Sequence, residues 1–313
     1  MTTKTRSWPQ RAMVGYVDCT ATGSALDITS EQLKHYNVVI YGFAGLDGEI
    51  SQAVGNIINQ IKPKQAPGTL NLISIGGAGG TGELTPNTTK NILNVIQQYG
   101  LDGVDLDIED GSITVDKLLP FTEELRLATS KEGYLLTAAP ILAGEPNNPT
   151  LNIPSGVSLD KVFNQVQLDA ILVQAYNSGT YFQYPLPSMP SHGVHENSAN
   201  IISAAYNALQ KKHHQPIHKG TQIVIGIPAN PGGAPTASNC WNVEDYNTVP
   251  PLVKLNLGDI YENKYDIDSS QFGGLMMWSL NTDAAPQYYR PYQGYQNPPA
   301  GYFAKNVASL IVG

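Results

Sequence analysis

Short runs of apolar, mostly β-branched residues alternate along this chain with segments whose apolar positions recur at helical spacing. The runs predict strands at Met13–Val17, Val38–Phe43, Leu70–Ile75, Gly103–Glu109, Leu135–Ala139, Ala170–Tyr176, Ile223–Pro228 and Gly274–Ser279. Helical periodicity is clearest at Ser51–Ile61, Asn87–Tyr99, Val115–Ser130, Ala199–Lys212 and Ala304–Val312. Pro86 stands where a first helical turn begins, and Thr114 or Ser112 is placed to cap the helix that follows. Strands separated by helices build a parallel sheet, and eight is the number that closes an α/β (β/α)8 TIM barrel. No composition shift marks a boundary, so one catalytic-size domain is expected over all 313 residues. Residues 1–12 read as an N-terminal extension and 284–303 as a Tyr- and Pro-rich surface segment before the last helix. Loops rich in Pro, Gly and Asn at Glu145–Pro154, Gln183–Asn197 and Ala229–Asn247 fall on the face where barrel chemistry takes place.

The stretch DGVDLDIE, Asp102 to Glu109, changes the picture. Side chains alternate along a strand, so Asp105, Asp107 and Glu109 share one side and Val104, Leu106 and Ile108 the other. In a barrel the apolar set meets the helices and the three acids point inward. Three full charges at about 6.6 Å Cα spacing repel one another, so the ladder is expected to keep at least one proton and to titrate as a coupled set. Glu109, outermost and at the carboxyl end, is the candidate general acid. A solvated edge strand or an oxygen-ligated Mg²⁺ or Ca²⁺ site are the competing readings. The apolar alternate face argues against the first, and no His lies near enough to suggest a transition metal.

These residues resemble the D-G-x-D-x-D-x-E signature of the family-18 glycoside hydrolases, the chitinases and their relatives. Other segments are similar in order: GYVD (Gly15–Asp18), SIGG (Ser74–Gly77), QAYN (Gln174–Asn177) and MMWS (Met276–Ser279). The resemblance implies a retaining, endo-type chitinase in which Glu109 protonates the glycosidic oxygen and the substrate's own N-acetyl group attacks the anomeric carbon. It implies that Asp107 orients the acetamido group and relays a proton with Asp105, and that Tyr176 donates to the acetamido oxygen. Trp278 would floor the sugar, Asn177 would contact it, and Tyr16 and Ser74 would support Asp105. Gly77 and Gln174 complete the expected substrate-binding set. Two departures stand out. Ala175 replaces the aromatic residue of plant-type members, which implies a roomier cleft near the acetamido methyl. The connection from Ala229 to Gly273 is too short for the small α+β domain of processive members. Two other readings of the same signature remain: a catalytically silent chitin-binding or inhibitor protein, and an endo-β-N-acetylglucosaminidase acting on N-glycan cores.

Composition narrows the partners. A net charge of −8 argues against nucleic acid, and no apolar run approaches the roughly 20 residues of a membrane span. Only 14% of residues are charged, against about 25% in typical soluble proteins, which suits a neutral polar partner such as chitin or a chitooligosaccharide. No cofactor and no metal are expected, and the protein is expected to act as a monomer. The substrate class points to an extracellular location, although MTTKTRSWPQ shows no secretory h-region. Cys19 and Cys240 could pair or both stay reduced.

Several weaker signals are set aside. GAGGTG (Gly77–Gly82) fits a dinucleotide fingerprint but follows the third strand and not the first. His213, His214 and His218 read as a solvated helix terminus among lysines. His192, His195 and Glu196 could line a groove, and Tyr181, Phe182, Tyr184 and Trp241 could serve as sugar platforms. Asn87-Thr88-Thr89 fits a glycosylation sequon.

Overall fold

β-Branched runs bounded by Gly, Pro and Asn form strands where the sequence predicts them. The computed structural model describes residues 6–80, 82–185, 193–230, 232–234, 246–289 and 296–312. The strands are β1 (Ala12–Asp18), β2 (Val38–Ala44), β3 (Leu70–Gly76), β4 (Gly103–Asp107), β5 (Leu135–Ala138) and β6 (Ile141–Glu145). They continue as β7 (Asn148–Asn152), β8 (Ala170–Gln174), β9 (Tyr181–Gln183), β10 (Gly193–His195), β11 (Gln222–Pro228) and β12 (Phe272–Trp278). Eight of them pair in parallel in the order β11–β12–β1–β2–β3–β4–β5–β8, and β8 pairs back onto β11. The sheet is therefore a closed (β/α)8 barrel, as the strand count implied.

Helices cover it on the outside. Gln52–Ile61 buries Val54, Ile57, Ile58 and Ile61, one face of a helix, and the Ser51 side chain caps it by accepting from the Val54 amide. Thr114 occupies the N-cap position of the helix Val115–Glu132 but makes no side-chain cap bond.

The structure departs from the expected elements in several places. β4 stops at Asp107 and not at Glu109, because its neighbours β3 and β5 run out of partners at Gly76 and Ala138. β8 likewise ends at Gln174, although β11 runs on to Pro228, and this leaves Tyr176 and Asn177 beyond the sheet. The expected loop at 145–154 is largely a hairpin, β6 with β7, which joins the barrel through Ile141 beside Gln174. The expected loop at 183–197 carries the antiparallel ribbon β9–β10. Val249–Tyr261 is a helix that the sequence hid behind Pro250 and Pro251; both lie in its first turn, where a missing N–H costs nothing. The last helix begins as a π-turn over Ala304–Ala308 before Ser309–Val312 turns α-helical.

Lys212, expected among solvated lysines, is buried. Its ammonium pairs with Asp160 at 2.8 Å and donates to the Pro149 carbonyl, while Asp160 accepts from the Leu151 amide at 3.0 Å. Satisfying both charges this way joins the end of one helix to the start of another and to β7. Asp283 ties the C-terminal segment down by accepting from the amides of Phe303 and Ala304. Cys19 is a buried free thiol, and Cys240 lies outside the described residues.

Glycine is required where β12 meets β1. Gly274 has φ +121°, and a Cβ there would collide with the Ala12 carbonyl oxygen of the neighbouring strand. Gly274→Ala is expected to destabilise the fold by about 3 kcal/mol, lowering Tm by roughly 5 °C or more in a thermal melt. An unchanged Tm would show that β1 and β12 can separate there without cost.

Candidate active site

Strand register builds the base of the site. Pairing places Ser74 of β3 and Thr137 of β5 directly beside Asp105 of β4. All three side chains therefore point to the same side of the sheet, the barrel interior. Ser74 Oγ donates to Asp105 Oδ2 at 2.7 Å, Thr137 Oγ1 donates to Oδ1 at 2.7 Å, and Tyr16 OH reaches Oδ2 from β1 at 2.8 Å. Asp105 is fully buried. Burial pushes its carboxyl above the usual range, and the three hydroxyl donors pull it back.

Asp107 lies one step up the ladder. Gln174 of β8 donates its amide to Asp107 Oδ1 at 3.0 Å and to the Ala139 carbonyl at 2.9 Å, which fixes both side chains. Burial raises the Asp107 carboxyl strongly, and the charges of Glu109 and Asp105 raise it further. Glu109, just past the strand, is also raised, chiefly by burial, with Gln174 acting in the opposite direction. The two upper carboxyls are a coupled pair that retains a proton to higher pH than free carboxylates do.

Above the ladder opens a cleft of about 300 Å³. Asp107, Glu109, Tyr16, Tyr176, Gln174, Asn177 and Trp278, all singled out by sequence, line it. Burial and the charges of Asp107 and Glu109 keep the Tyr176 hydroxyl protonated, a donor at the cleft wall. Trp278 packs edge-on against Tyr16 and tilted against Phe43, both at 5.9 Å between ring centroids. The Gly42–Phe43 and Trp278–Ser279 peptides are cis. Among the described residues no Lys, Arg or His lines this cleft. Nor do the described residues hold a cluster of three or more His, Cys, Asp or Glu placed for a metal ion.

Other expected site residues sit elsewhere. Ser74 is wholly buried beneath the cleft and touches Asp105, not the cavity. Gly77 does not line it either; a Cβ there would press into the Phe43 ring at 2.7 Å, so its bareness seats Phe43. Its amide donates to the Asp107 carbonyl at 2.7 Å, which uses this glycine-rich turn to brace the ladder. Ala175 is buried outside the cleft, so its small size does not widen it. Phe182 is core, and Tyr184 donates to Asp259 at 3.1 Å. His195 is exposed beside the Tyr181 ring, Glu196 is buried, and His192 and Trp241 lie outside the described residues. Two contributors escaped the sequence reading. Thr137 signalled itself only as a lone hydroxyl in an apolar strand, and Phe43 only as an aromatic at a strand's carboxyl end.

Comparison with known proteins agrees with this geometry. The sequence matches the family model for glycosyl hydrolases family 18 over residues 12–247. It is 26% identical over 254 residues to Chitinase Chi52 of Paenibacillus xylanexedens, covering 70% of this chain and 47% of that protein. It is also 26% identical over 274 residues to a probable class II chitinase of Arthroderma benhamiae, covering 77% of this chain and 79% of that one. The chain thus spans about half the length of the Paenibacillus relative. Among solved structures, putative Chitinase A from Streptomyces coelicolor superposes with a TM-score of 0.68 at 18% identity, covering 97% of this chain and 99% of that one. With a family match across most of the chain and the same barrel in its structural neighbours, this chain belongs to glycosyl hydrolases family 18.

Proposed function

We propose that the chain is a chitinase that hydrolyses β-1,4-linked N-acetylglucosamine in chitin or chitooligosaccharides, endo-fashion and with retention. The observation that carries this reading is the graded ladder: a buried Asp105 ringed by hydroxyls, then a proton-sharing Asp107 and Glu109 opening into an aromatic cleft free of cations among the described residues. Such a site favours positive charge, and positive charge is what develops on a sugar as its glycosidic bond breaks.

Protonated Glu109 gives its proton to the leaving oxygen as the acetamido carbonyl oxygen of the same sugar attacks the anomeric carbon. The leaving bond's electron pair goes to that protonated oxygen, and a cyclic oxazolinium forms. Asp107, anionic at this point, accepts from the acetamido N–H and offsets the charge on nitrogen. The Tyr176 hydroxyl donates to the acetamido oxygen and aims it. Trp278 supports the apolar face of the ring, and Asn177 contacts its polar edge. Glu109, now a carboxylate, removes a proton from water, which attacks the anomeric carbon and restores the original configuration. One chain supplies every group invoked, which supports action as a monomer. The substrate class supports action outside the cell.

Glu109→Gln is expected to lower kcat on a chromogenic chitooligosaccharide by about 10³-fold with little change in KM. A variant within tenfold of wild type would remove Glu109 from the role of acid. A wild type that binds chitin beads without cutting would favour the silent-lectin reading, and release of glycans from a glycoprotein would favour the N-glycan one.

The pH profile of kcat/KM carries a second test. The acid works protonated, and burial raises its pKa, so activity persists above the ordinary glutamate range and falls as pH rises through the raised value. The acid limb reflects the ladder taking up a further proton. Thr137→Val removes one donor from the Asp105 carboxylate, which disfavours the anion and moves that limb upward by about one pH unit. A limb that stays put would show that Asp105 does not set it.

A further inference from the structure

We infer that Glu196 is a positioning residue whose buried carboxylate holds Tyr176 and Asn177 to the cleft; the inference rests on the function proposed above. Glu196 follows β10 on the ribbon and is only 1% exposed. It does not line the cleft. Its carboxylate sits instead against the turn by which the chain leaves β8.

Four donors from that turn converge on it. Oε2 accepts from the Gly179 amide at 2.9 Å and the Ser178 amide at 3.2 Å. Oε1 accepts from the Ser178 hydroxyl and from Thr180 Oγ1, the latter at 3.4 Å. Asn177 has φ +62° and Gly179 φ +74°. Left-handed residues alternating with ordinary ones turn successive N–H groups toward one point, a backbone concavity that binds anions. Here the chain fills it with its own carboxylate. Burial pushes that carboxyl up, and the surrounding donors hold it down.

The turn matters because of what precedes it. Among the described residues, neither the Tyr176 nor the Asn177 side chain hydrogen-bonds to another protein group. Packing and backbone course therefore aim Tyr176, which is 4% exposed, and backbone course aims the exposed Asn177. That course is tied to the sheet at Ala175, whose amide donates to the Gly226 carbonyl at 3.2 Å, and next at Ser178, by Glu196. Tyr176 and Asn177 are suspended between those two points. Removing the second releases Asn177, whose φ +62° lies in a region that asparagine tolerates better than most side chains and that the anchored turn selects. The ribbon β9–β10 thereby acquires a role: it delivers an anion to the back of the cleft wall.

Glu196→Ala removes the acceptor altogether, whereas Glu196→Gln keeps a carbonyl oxygen for the two amides with its NH2 facing hydroxyls that can accept, and serves as the conservative variant. Release of nitrophenol from a chromogenic chitobioside is expected to show kcat reduced about tenfold or more for Glu196→Ala and largely retained for Glu196→Gln, with KM moved by less than about threefold. The deciding measurement is a double-mutant cycle with Tyr176→Phe. If Glu196 acts through Tyr176, the second substitution costs less than about threefold on top of the first. Independent, multiplying effects would overturn the proposal and leave Glu196 a ribbon anchor. Should either variant fail to fold by thermal melt, Ser178→Ala, which deletes one donor alone, is expected to show the same coupling at smaller size. An inactive wild type would sink the functional reading alone. The cycle then runs on affinity for N,N′,N″-triacetylchitotriose, where the same coupling supports the positioning role and additivity refutes it.

Discussion

The whole site depends on one negative charge kept inside a barrel. Two full charges at the Cα spacing of alternate strand residues, about 6.6 Å, repel by roughly 2.5 kcal/mol at an effective dielectric of 20. A hydrogen bond to a charged group contributes about 1.5–3 kcal/mol. Asp105 has three such bonds, enough to outweigh repulsion from one neighbour. Asp107 has one, from Gln174, and two acidic neighbours. Burial penalises both anions, so the difference in donors and acidic neighbours is what favours the fixed charge on Asp105 and the shared proton on the pair above it. No cation among the lining residues is needed for that assignment, and a cation there would oppose the charge that builds on the substrate.

Burial also falls along the ladder. Asp105 is sealed, Asp107 is 5% exposed, and Glu109 is half-buried past the strand's end. The early end of β4 is therefore functional in its effect: a Glu109 still paired within the sheet would be as enclosed as Asp107. Beyond the last ladder bond its carboxyl borders the cleft and is half-buried, as the proposed general acid requires. The fixed anion at the bottom raises Asp107, the carboxyl that neighbours Glu109.

The barrel was legible because eight apolar runs and the helices between them are long, local signals. Asp105, Asp107, Glu109, Tyr176 and Trp278 were legible because their motifs are short in sequence and contiguous. Thr137, Phe43 and the seat that Gly77 provides were not, since each matters only through register across different strands. The end of β4 was misplaced for a related reason. Whether Glu109 lies in the sheet depends on how far the neighbouring strands run, and nothing in DGVDLDIE records that. The helix at Val249–Tyr261 was hidden by reading prolines as breakers without asking where in a helix they would fall.

Glu196 and Asp105 are alike in one respect that the sequence conceals. Each is a buried carboxylate solvated by hydroxyls or amides of its own chain, with no positive partner among the described residues. A hydroxyl or amide donor has a fixed direction, so several of them specify an anion's position more tightly than a flexible ammonium does. Replacing either with an apolar residue would leave its donors unpaired, at about 1–3 kcal/mol for each one that stays buried, so both also hold local structure in place. In the proposed mechanism Asp105 is the charge beneath Asp107, and Glu196 anchors the backbone that carries Tyr176 and Asn177. One acts from beneath the cleft and the other through the turn that follows β8, so the proposed acid and the proposed substrate contacts are each referred to the same barrel.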